Sequence, residues 1–160
     1  MIKKLLKYAL IIILISLTVF YIFPEMKLDE SKKIDKIIVY KENRRLSVFS
    51  GNELLKTYKV SLGRNPKGKK QFEGDMKTPE GIYKIYDKNP HSDYHLNLGI
   101  SYPSSEDRAY AQKLGKSPGG LIKIHGLKNG YGFIGKFHRL FDWTHGCIAV
   151  TNREMEELFE

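Results

Sequence analysis

An uncharged apolar run at the N-terminus limits how the rest of this chain can fold. The stretch Tyr8–Phe23 contains no charged residue, and three lysines precede it: Lys3, Lys4 and Lys7. A run of this length is close to what a helix needs to cross a bilayer. Positive charge on its N-terminal side predicts that the N-terminus stays in the cytoplasm and that the remainder is exported. Residues 1–24 are therefore predicted to form a transmembrane segment.

The sequence after this run favours an uncleaved signal anchor over a cleaved signal peptide. A signal peptide ends in a small-x-small cleavage site, whereas residues 21–24 read YIFP. Residues 25–35 are polar and charged, and are predicted to form a linker from the membrane. The remainder, 36–160, has the size of a single domain with its own hydrophobic core. Cleavage and secretion remain the alternative.

The charge of the chain bears on its partners. The formal net charge is +9 at pH 7, which attracts anionic surfaces such as a membrane, an acidic wall polymer or nucleic acid. A basic surface that contacts only solvent would give the same net charge. Export argues against nucleic acid, and the lysine-rich loop 64–76 lacks the interleaved aromatic residues on which single strands stack.

The domain is predicted to be mostly β. Short segments rich in β-branched and aromatic residues are separated by polar or glycine-containing turns. The predicted strands are Ile37–Tyr40, Leu46–Phe49, Leu55–Leu62, Ile82–Tyr86, His95–Tyr102, Leu121–Ile124 and Cys147–Val150. Residues 127–141, between the last two strands, are predicted to be a loop. A β-sandwich or barrel-like core with two short helices fits this pattern.

Helix-capping signals define the two short helices. The first, Ser105–Leu114, is predicted to be capped by its own first residue, and Gly115 suits the position after its end. The second follows Thr151, which fits a capping box with Glu154, and runs through Phe159.

Cys147 is the only cysteine in the chain. An exported domain with one cysteine cannot form an internal disulfide, and an exposed free thiol oxidises or cross-links. Cys147 could instead be a small buried side chain, or it could form a disulfide with another molecule. Neither use needs a reactive thiol. The reactive explanation is a nucleophile, which needs a base because the thiolate is the attacking form.

Two histidines are placed to act on Cys147. His125 follows the strand Leu121–Ile124, and a residue at the end of one strand reaches the start of a neighbouring strand about 4.8 Å away. His145 precedes the thiol by two residues; in extended backbone the pair would lie roughly 6.5–7 Å apart. Gly146 permits a bend that would bring them closer, and backbone N–H groups around it suit an oxyanion hole.

Zinc is the competing use of these side chains, since it takes nitrogen and sulfur ligands. The spacings in this chain match none of the usual paired zinc motifs, so neither a metal nor a cofactor is predicted. The side chains concerned are His125, His138, His145 and Cys147.

The order of these motifs resembles the L,D-transpeptidase (YkuD-type) family. His125-Gly126, a glycine-containing spacer and the tetrapeptide 144–147 (THGC) followed by apolar residues match the family pattern of HG, a variable spacer and [S/T]-x-G-C. Upstream, GDMKTPEGIY at 74–83 is similar to the TPxG-aromatic turn of the family. The resemblance covers about residues 36–160.

The resemblance implies an L,D-transpeptidase-like β-sandwich or barrel domain that attacks peptidoglycan stem peptides. It implies that Cys147 is the nucleophile, that His125 is the proton donor and acceptor, and that the backbone at Gly146 helps to shape the oxyanion hole. Arginine binds carboxylates through two parallel hydrogen bonds, and the spacer contains an arginine, Arg139. The expected substrate contacts are Thr144, His145, Arg139 and Trp143.

The predicted function is that of a membrane-anchored cysteine acyltransferase in the bacterial cell envelope. A stem peptide would be held as a Cys147 thioester and passed to an amine. The stretch 142–152 resembles a subgroup that includes enzymes cutting links to the wall, so a carboxypeptidase- or amidase-type hydrolase of the same family is an alternative. The sequence is also compatible with a cysteine peptidase acting on other proteins and with a non-catalytic wall-binding domain.

Overall fold

A computed structural model describes residues 2–160. The first element is a helix, α1 (Ile2–Ile22), whose residues are all exposed. By length and composition it could cross a membrane, a test that a signal sequence also passes.

The rest of the chain builds two β-sheets. The first is an antiparallel meander of β1 (Lys36–Tyr40), β2 (Arg45–Ser50) and β3 (Glu53–Lys59). The second pairs, in this order, β4 (Ile85–Ser92), β5 (His95–Ile100), β6 (Lys123–His125) and β7 (Ile148–Ala149). Its neighbouring strands are antiparallel except for β6 and β7, which are parallel. The predicted mostly-β fold behind an N-terminal apolar helix is confirmed.

Two short α-helices complete the domain, as predicted. They are α2 (Ser105–Lys113), between β5 and β6, and α3 (Asn152–Phe159), which packs on β5 and β6. Thr151 and Glu154 form the predicted capping box of α3. The cap of α2 is Ser104 rather than Ser105, because the box needs an acid three residues after the cap, and the Ser104 N–H donates to Asp107.

The other predicted strands differ by a few residues at their ends, and two predictions differ more widely. The strand expected at Ile82–Tyr86 begins at Ile85 and continues to Ser92, with an irregular register between Asn89 and Ser92 that accommodates Pro90. The expected loop 127–141 contains a 3₁₀ segment, Gly132–Leu140, which kinks at a glycine.

The hydrophobic core lies between the two sheets and α3. Its most deeply buried members come from every layer: Leu46, Val48, Tyr58, Val60, Leu62, Leu98, Ile124, Ile148, Val150 and Met155. Burial of these side chains is the main favourable term in folding.

The chain after β3 joins the two sheets. Ser61 pairs antiparallel with Ala149, and Gly63 pairs parallel with Thr144. Two hydrogen bonds link Ser61 and Ala149, at 3.0 and 2.8 Å between backbone N and O atoms. The segment that contains Cys147 is therefore fastened on both sides of the thiol to the chain that follows β3.

Residues 25–35, predicted to be a linker, pack against the domain. Leu28 is buried in the core, and the backbone N–H of Asp35 donates to Phe49 O at 3.0 Å. The Glu25 carboxylate is bound by Arg139. The connection between α1 and β1 is thus held to the domain at these three points.

Replacing Gly63 with alanine is expected to lower the free energy of unfolding by about 1–3 kcal/mol, the usual cost of overpacking. A Cβ at this position would overlap the Met76 carbonyl oxygen and lie 3.0 Å from Gly146 Cα. Gly120→Ala is the matched control, because nothing lies within 4 Å of its Cβ, and its change should stay within about 0.5 kcal/mol. Denaturant unfolding of the full chain in detergent, followed by near-ultraviolet circular dichroism, measures both. Equal stabilities would contradict this close packing.

Candidate active site

Strands β6 and β7 bring His125 and Cys147 to one face of the second sheet. The parallel register pairs Ile124 with Ile148 and His125 with Ala149. Side chains alternate between faces along a strand, so Cys147, one residue before Ile148, lies on the same face as His125. Both residues line a cleft of about 480 Å³.

The hydrogen bond made by His125 identifies which ring nitrogen is free. Nδ1 lies 2.7 Å from Gly126 O. A carbonyl oxygen can only accept, so Nδ1 carries the proton and Nε2 keeps its lone pair. Burial of the ring lowers the pKa of His125 more than this hydrogen bond raises it, and the charge of Lys123 lowers it further. The imidazole is therefore neutral near pH 7 and able to accept a proton.

The thiol of Cys147 is held in its protonated form. The side chain is half-buried, and Sγ lies 3.7 Å from Leu121 O. Burial raises the pKa of the Cys147 thiol; the backbone N–H of Lys123 and the charges of Lys123 and Lys70 partly oppose that rise. A thiol in this state becomes a nucleophile only when a base removes its proton.

Thr144 organises the turn that leads into Cys147. Its Oγ1 donates to Cys147 O at 2.7 Å and accepts the N–H of Gly146 at 3.1 Å. Its own N–H donates to Leu62 O, and its carbonyl accepts the N–H of Arg64. Thr144 lines the cleft but is buried, so its contacts position the turn, in addition to any contact with substrate.

Gly146 has a steric role in this turn. Its φ is +129°, and a Cβ would lie 2.6 Å from Lys77 O, so the turn requires glycine. The Gly146 N–H is already bound to Thr144 and is not free to stabilise an oxyanion. Within residues 2–160, the hydrogen bonds of this turn leave the Cys147 N–H unengaged, which makes it the better donor.

Two aromatic rings enclose the imidazole. Tyr94 and Trp143 have ring centroids 4.7 and 5.8 Å from that of His125, and they stack on each other at 6.2 Å. Trp143 therefore both lines the cleft and holds the ring of His125. His145 is exposed and also lines the cleft.

Arg139 lies outside the cleft, in contrast to its expected substrate contact. Its guanidinium binds both oxygens of Glu25, at 2.7 and 3.2 Å, and Glu154 Oε1 at 2.6 Å. The side chain is almost fully buried between these carboxylates. Arginine that is already bound by two carboxylates has no free face for a third, so the structure gives Arg139 an architectural role.

His138 contacts Trp143. Its Nδ1 lies 3.1 Å from Ser61 Oγ and 3.5 Å from Trp143 Nε1. Burial lowers the pKa of His138 to about 3, so the ring is neutral. It does not line the cleft in the part of the chain that the structure describes.

The cleft also contains residues that were not among the predicted catalytic residues or substrate contacts. Asn97 lies opposite His125 in the β5–β6 register, is buried, and has no hydrogen-bond partner for Oδ1 within residues 2–160. Lys123, two residues before His125, shares its face and lines the cleft. A polar residue inside the apolar run HLNLGI was the available signal for Asn97. Other lining residues are Arg64, His91, Asp93, Tyr94 and Leu121.

Comparisons with known proteins identify the family of this chain. The sequence model of a family described as L,D-transpeptidase catalytic domain, YkuD, matches residues 34–160. The chain is 30% identical over 131 residues to the protein named "Putative L,D-transpeptidase YafK" in Escherichia coli strain K12 and in Escherichia coli O157:H7, covering 78% of this chain and 45% of each relative. It thus spans about half the length of these curated relatives.

A solved structure of the Bdellovibrio bacteriovorus protein Bd1075 has a similar fold. It is 27% identical in sequence and superposes with a TM-score of 0.53. The match covers 84% of this chain and 46% of that chain.

Replacing Lys123 with methionine is expected to raise the pKa of the Cys147 thiol. The ammonium group lowers this pKa, and methionine keeps much of the length of lysine without its charge. The rate of alkylation by iodoacetamide against pH, followed by mass spectrometry, should shift to higher pH in the full chain. Lys123→Arg keeps the charge and should resemble the wild type. An unshifted profile in Lys123→Met would mean that the ammonium group has no influence on the thiol.

Proposed function

The chain belongs to the L,D-transpeptidase catalytic-domain (YkuD) family, and from that premise we propose that it is a cysteine acyltransferase acting on peptidoglycan stem peptides. The bond attacked is an amide of the stem peptide, and the intermediate is a thioester on Cys147. No cofactor takes part in this chemistry.

One observation supports the proposal above the others. Cys147 and a neutral His125 with a free Nε2 share a sheet face and a cleft. A protonated thiol beside an imidazole that can accept its proton is the arrangement that nucleophilic catalysis by cysteine needs.

In the first half of the reaction, Nε2 of His125 takes the thiol proton and Sγ of Cys147 attacks the carbonyl carbon. The carbonyl oxygen gains negative charge and accepts a hydrogen bond from the Cys147 N–H. Collapse of the tetrahedral intermediate breaks the C–N bond, and the leaving amine takes the proton from Nε2. Gly126 O keeps Nδ1 protonated throughout, so Nε2 alone exchanges protons.

In the second half, an amine attacks the thioester while Nε2 removes its proton. The C–S bond breaks, and the proton returns from Nε2 to sulfur, which restores the starting state. With an amine from another stem peptide the product is a cross-link; with water it is a hydrolysed peptide. The acceptor thus decides between transpeptidase and hydrolase, and the alternative of a hydrolase uses the same residues.

We place the enzyme in the bacterial cell envelope, with residues 1–24 as an uncleaved anchor, residues 25–35 as the connection and residues 36–160 as the catalytic domain outside the cytoplasm. The exposure and apolar composition of α1 support the anchor. The net charge of +9 suits an acidic wall polymer as the surroundings of the domain.

The proposal is tested by incubating the full chain in detergent with purified sacculi and identifying the products and the protein adduct by mass. We expect a stem-peptide adduct on Cys147, which Cys147→Ser abolishes. His125→Gln should slow product formation by about 10²–10⁴-fold, the usual contribution of a general base. His95→Gln is the matched control, because His95 pairs with Glu156 and not with the cleft.

The products separate the remaining possibilities. Cross-linked peptides identify a transpeptidase, and shortened peptides identify a hydrolase. A chain that binds sacculi without an adduct or a product, with Cys147→Ser behaving as wild type, would overturn the enzymatic proposal in favour of a wall-binding domain.

A further inference from the structure

Residues 131–141, termed the 131–141 segment, carry an exposed apolar surface. The segment includes the 3₁₀ helix Gly132–Leu140. Its side chains are open to solvent to an unusual degree: Tyr131 51%, Phe133 72%, Leu140 71% and Phe141 66%. Exposed apolar side chains that are gathered in one short segment of a domain mark a surface that meets another apolar phase.

The 131–141 segment is also where α1 touches the domain. The Tyr21 ring stacks on Phe137 with ring centroids 5.4 Å apart, and Phe20 lies 5.8 Å from the same ring. Tyr21 Oη donates to Phe133 O at 2.7 Å. These contacts join the last turn of α1 to the middle of the segment.

The contact is specific in shape and charge. At Gly135, φ is +48° and a Cβ would lie 2.9 Å from Tyr21 Cε2, so only glycine leaves room for this ring. Lys136 Nζ donates to the carbonyl oxygens of Phe20 and Phe23, which lie at the negative end of the helix dipole.

The length of α1 sets the depth of this contact. Its 21 residues span about 31 Å at 1.5 Å per residue, close to the roughly 30 Å hydrocarbon layer of a bilayer. If α1 crosses the membrane, its last turn reaches the boundary between acyl chains and headgroups. The 131–141 segment, in contact with that turn, lies at the same level.

We propose that the 131–141 segment binds the phospholipid surface around the end of α1, with Phe133, Leu140 and Phe141 entering the headgroup region. Tyrosine at both Tyr21 and Tyr131 suits this level, since aromatic side chains with a polar end are enriched at membrane interfaces. The inference rests on the proposed membrane anchor but is independent of the chemistry at Cys147.

This surface continues directly into the candidate active site. Phe141 is followed by Asp142, which binds Arg44 and the N–H of Leu62, and then by Trp143, which lines the cleft. A segment bound to the membrane would hold the cleft next to the bilayer and limit the domain to substrates that reach the membrane face.

Tryptophan reporters in the full chain test the proposal. Trp143 is the only tryptophan, so Phe133→Trp and Leu140→Trp, each made in Trp143→Phe, carry a single reporter. The proteins are reconstituted into phosphatidylcholine–phosphatidylglycerol vesicles in which the phosphatidylcholine carries bromine on its acyl chains near the headgroup. We expect both reporters to lose most of their emission relative to unbrominated vesicles.

The control is Ile82→Trp in the same background. Ile82 is fully exposed, and its neighbour Tyr83 packs towards Asp107 in α2; this reporter should keep its emission. Should Trp143→Phe fail to fold by circular dichroism, the same reporters are measured with Trp143 present and its emission subtracted.

Flotation of the same samples separates two kinds of failure. Protein that floats with the vesicles while the reporters at 133 and 140 stay as bright as the one at 82 overturns the lipid-binding surface and leaves the anchor intact. Protein that does not float overturns the anchor, and with it this inference, without bearing on the chemistry of Cys147.

Discussion

The parallel pairing of β6 with β7 is the constraint on which the candidate site depends. A slip of one residue would turn Cys147 to the opposite face from His125, and β7 is too short to fix its own register. The chain after β3 fixes this register: Ser61 pairs with Ala149 on the side away from β6, and Gly63 pairs with Thr144. The chain that follows the first sheet therefore acts on the site by holding the register of the second sheet.

Burial acts in opposite directions on the two groups that would exchange a proton. It lowers the pKa of His125 and raises that of Cys147, so both favour their uncharged forms at rest. A thiol kept protonated and half-buried is also less exposed to oxidation. The charge of Lys123 opposes part of this effect at sulfur, and its removal would change the balance without touching either reacting atom.

Arg139 connects the chain leaving α1 to the domain. It binds Glu25, just after α1, and Glu154, which also closes the capping box of α3. Helix α3 in turn packs on β5 and β6. The residue expected to hold substrate thus holds the chain leaving α1 against the domain, and the 131–141 segment to which it belongs brings apolar side chains to the same place.

The sequence by itself determined the apolar helix, the mostly-β domain and the motifs that single out Cys147 and His125, because alternation, capping and motif spacing are local properties of the chain. It predicted the cap of α3 but displaced that of α2 by one residue. Only the tertiary structure decided the partners of Arg139, the place of Asn97 opposite His125, and the hydrogen bond that occupies the Gly146 N–H. Glu25 and Arg139 are 114 residues apart, and nothing in the local pattern of either residue indicates which distant segment will lie beside it.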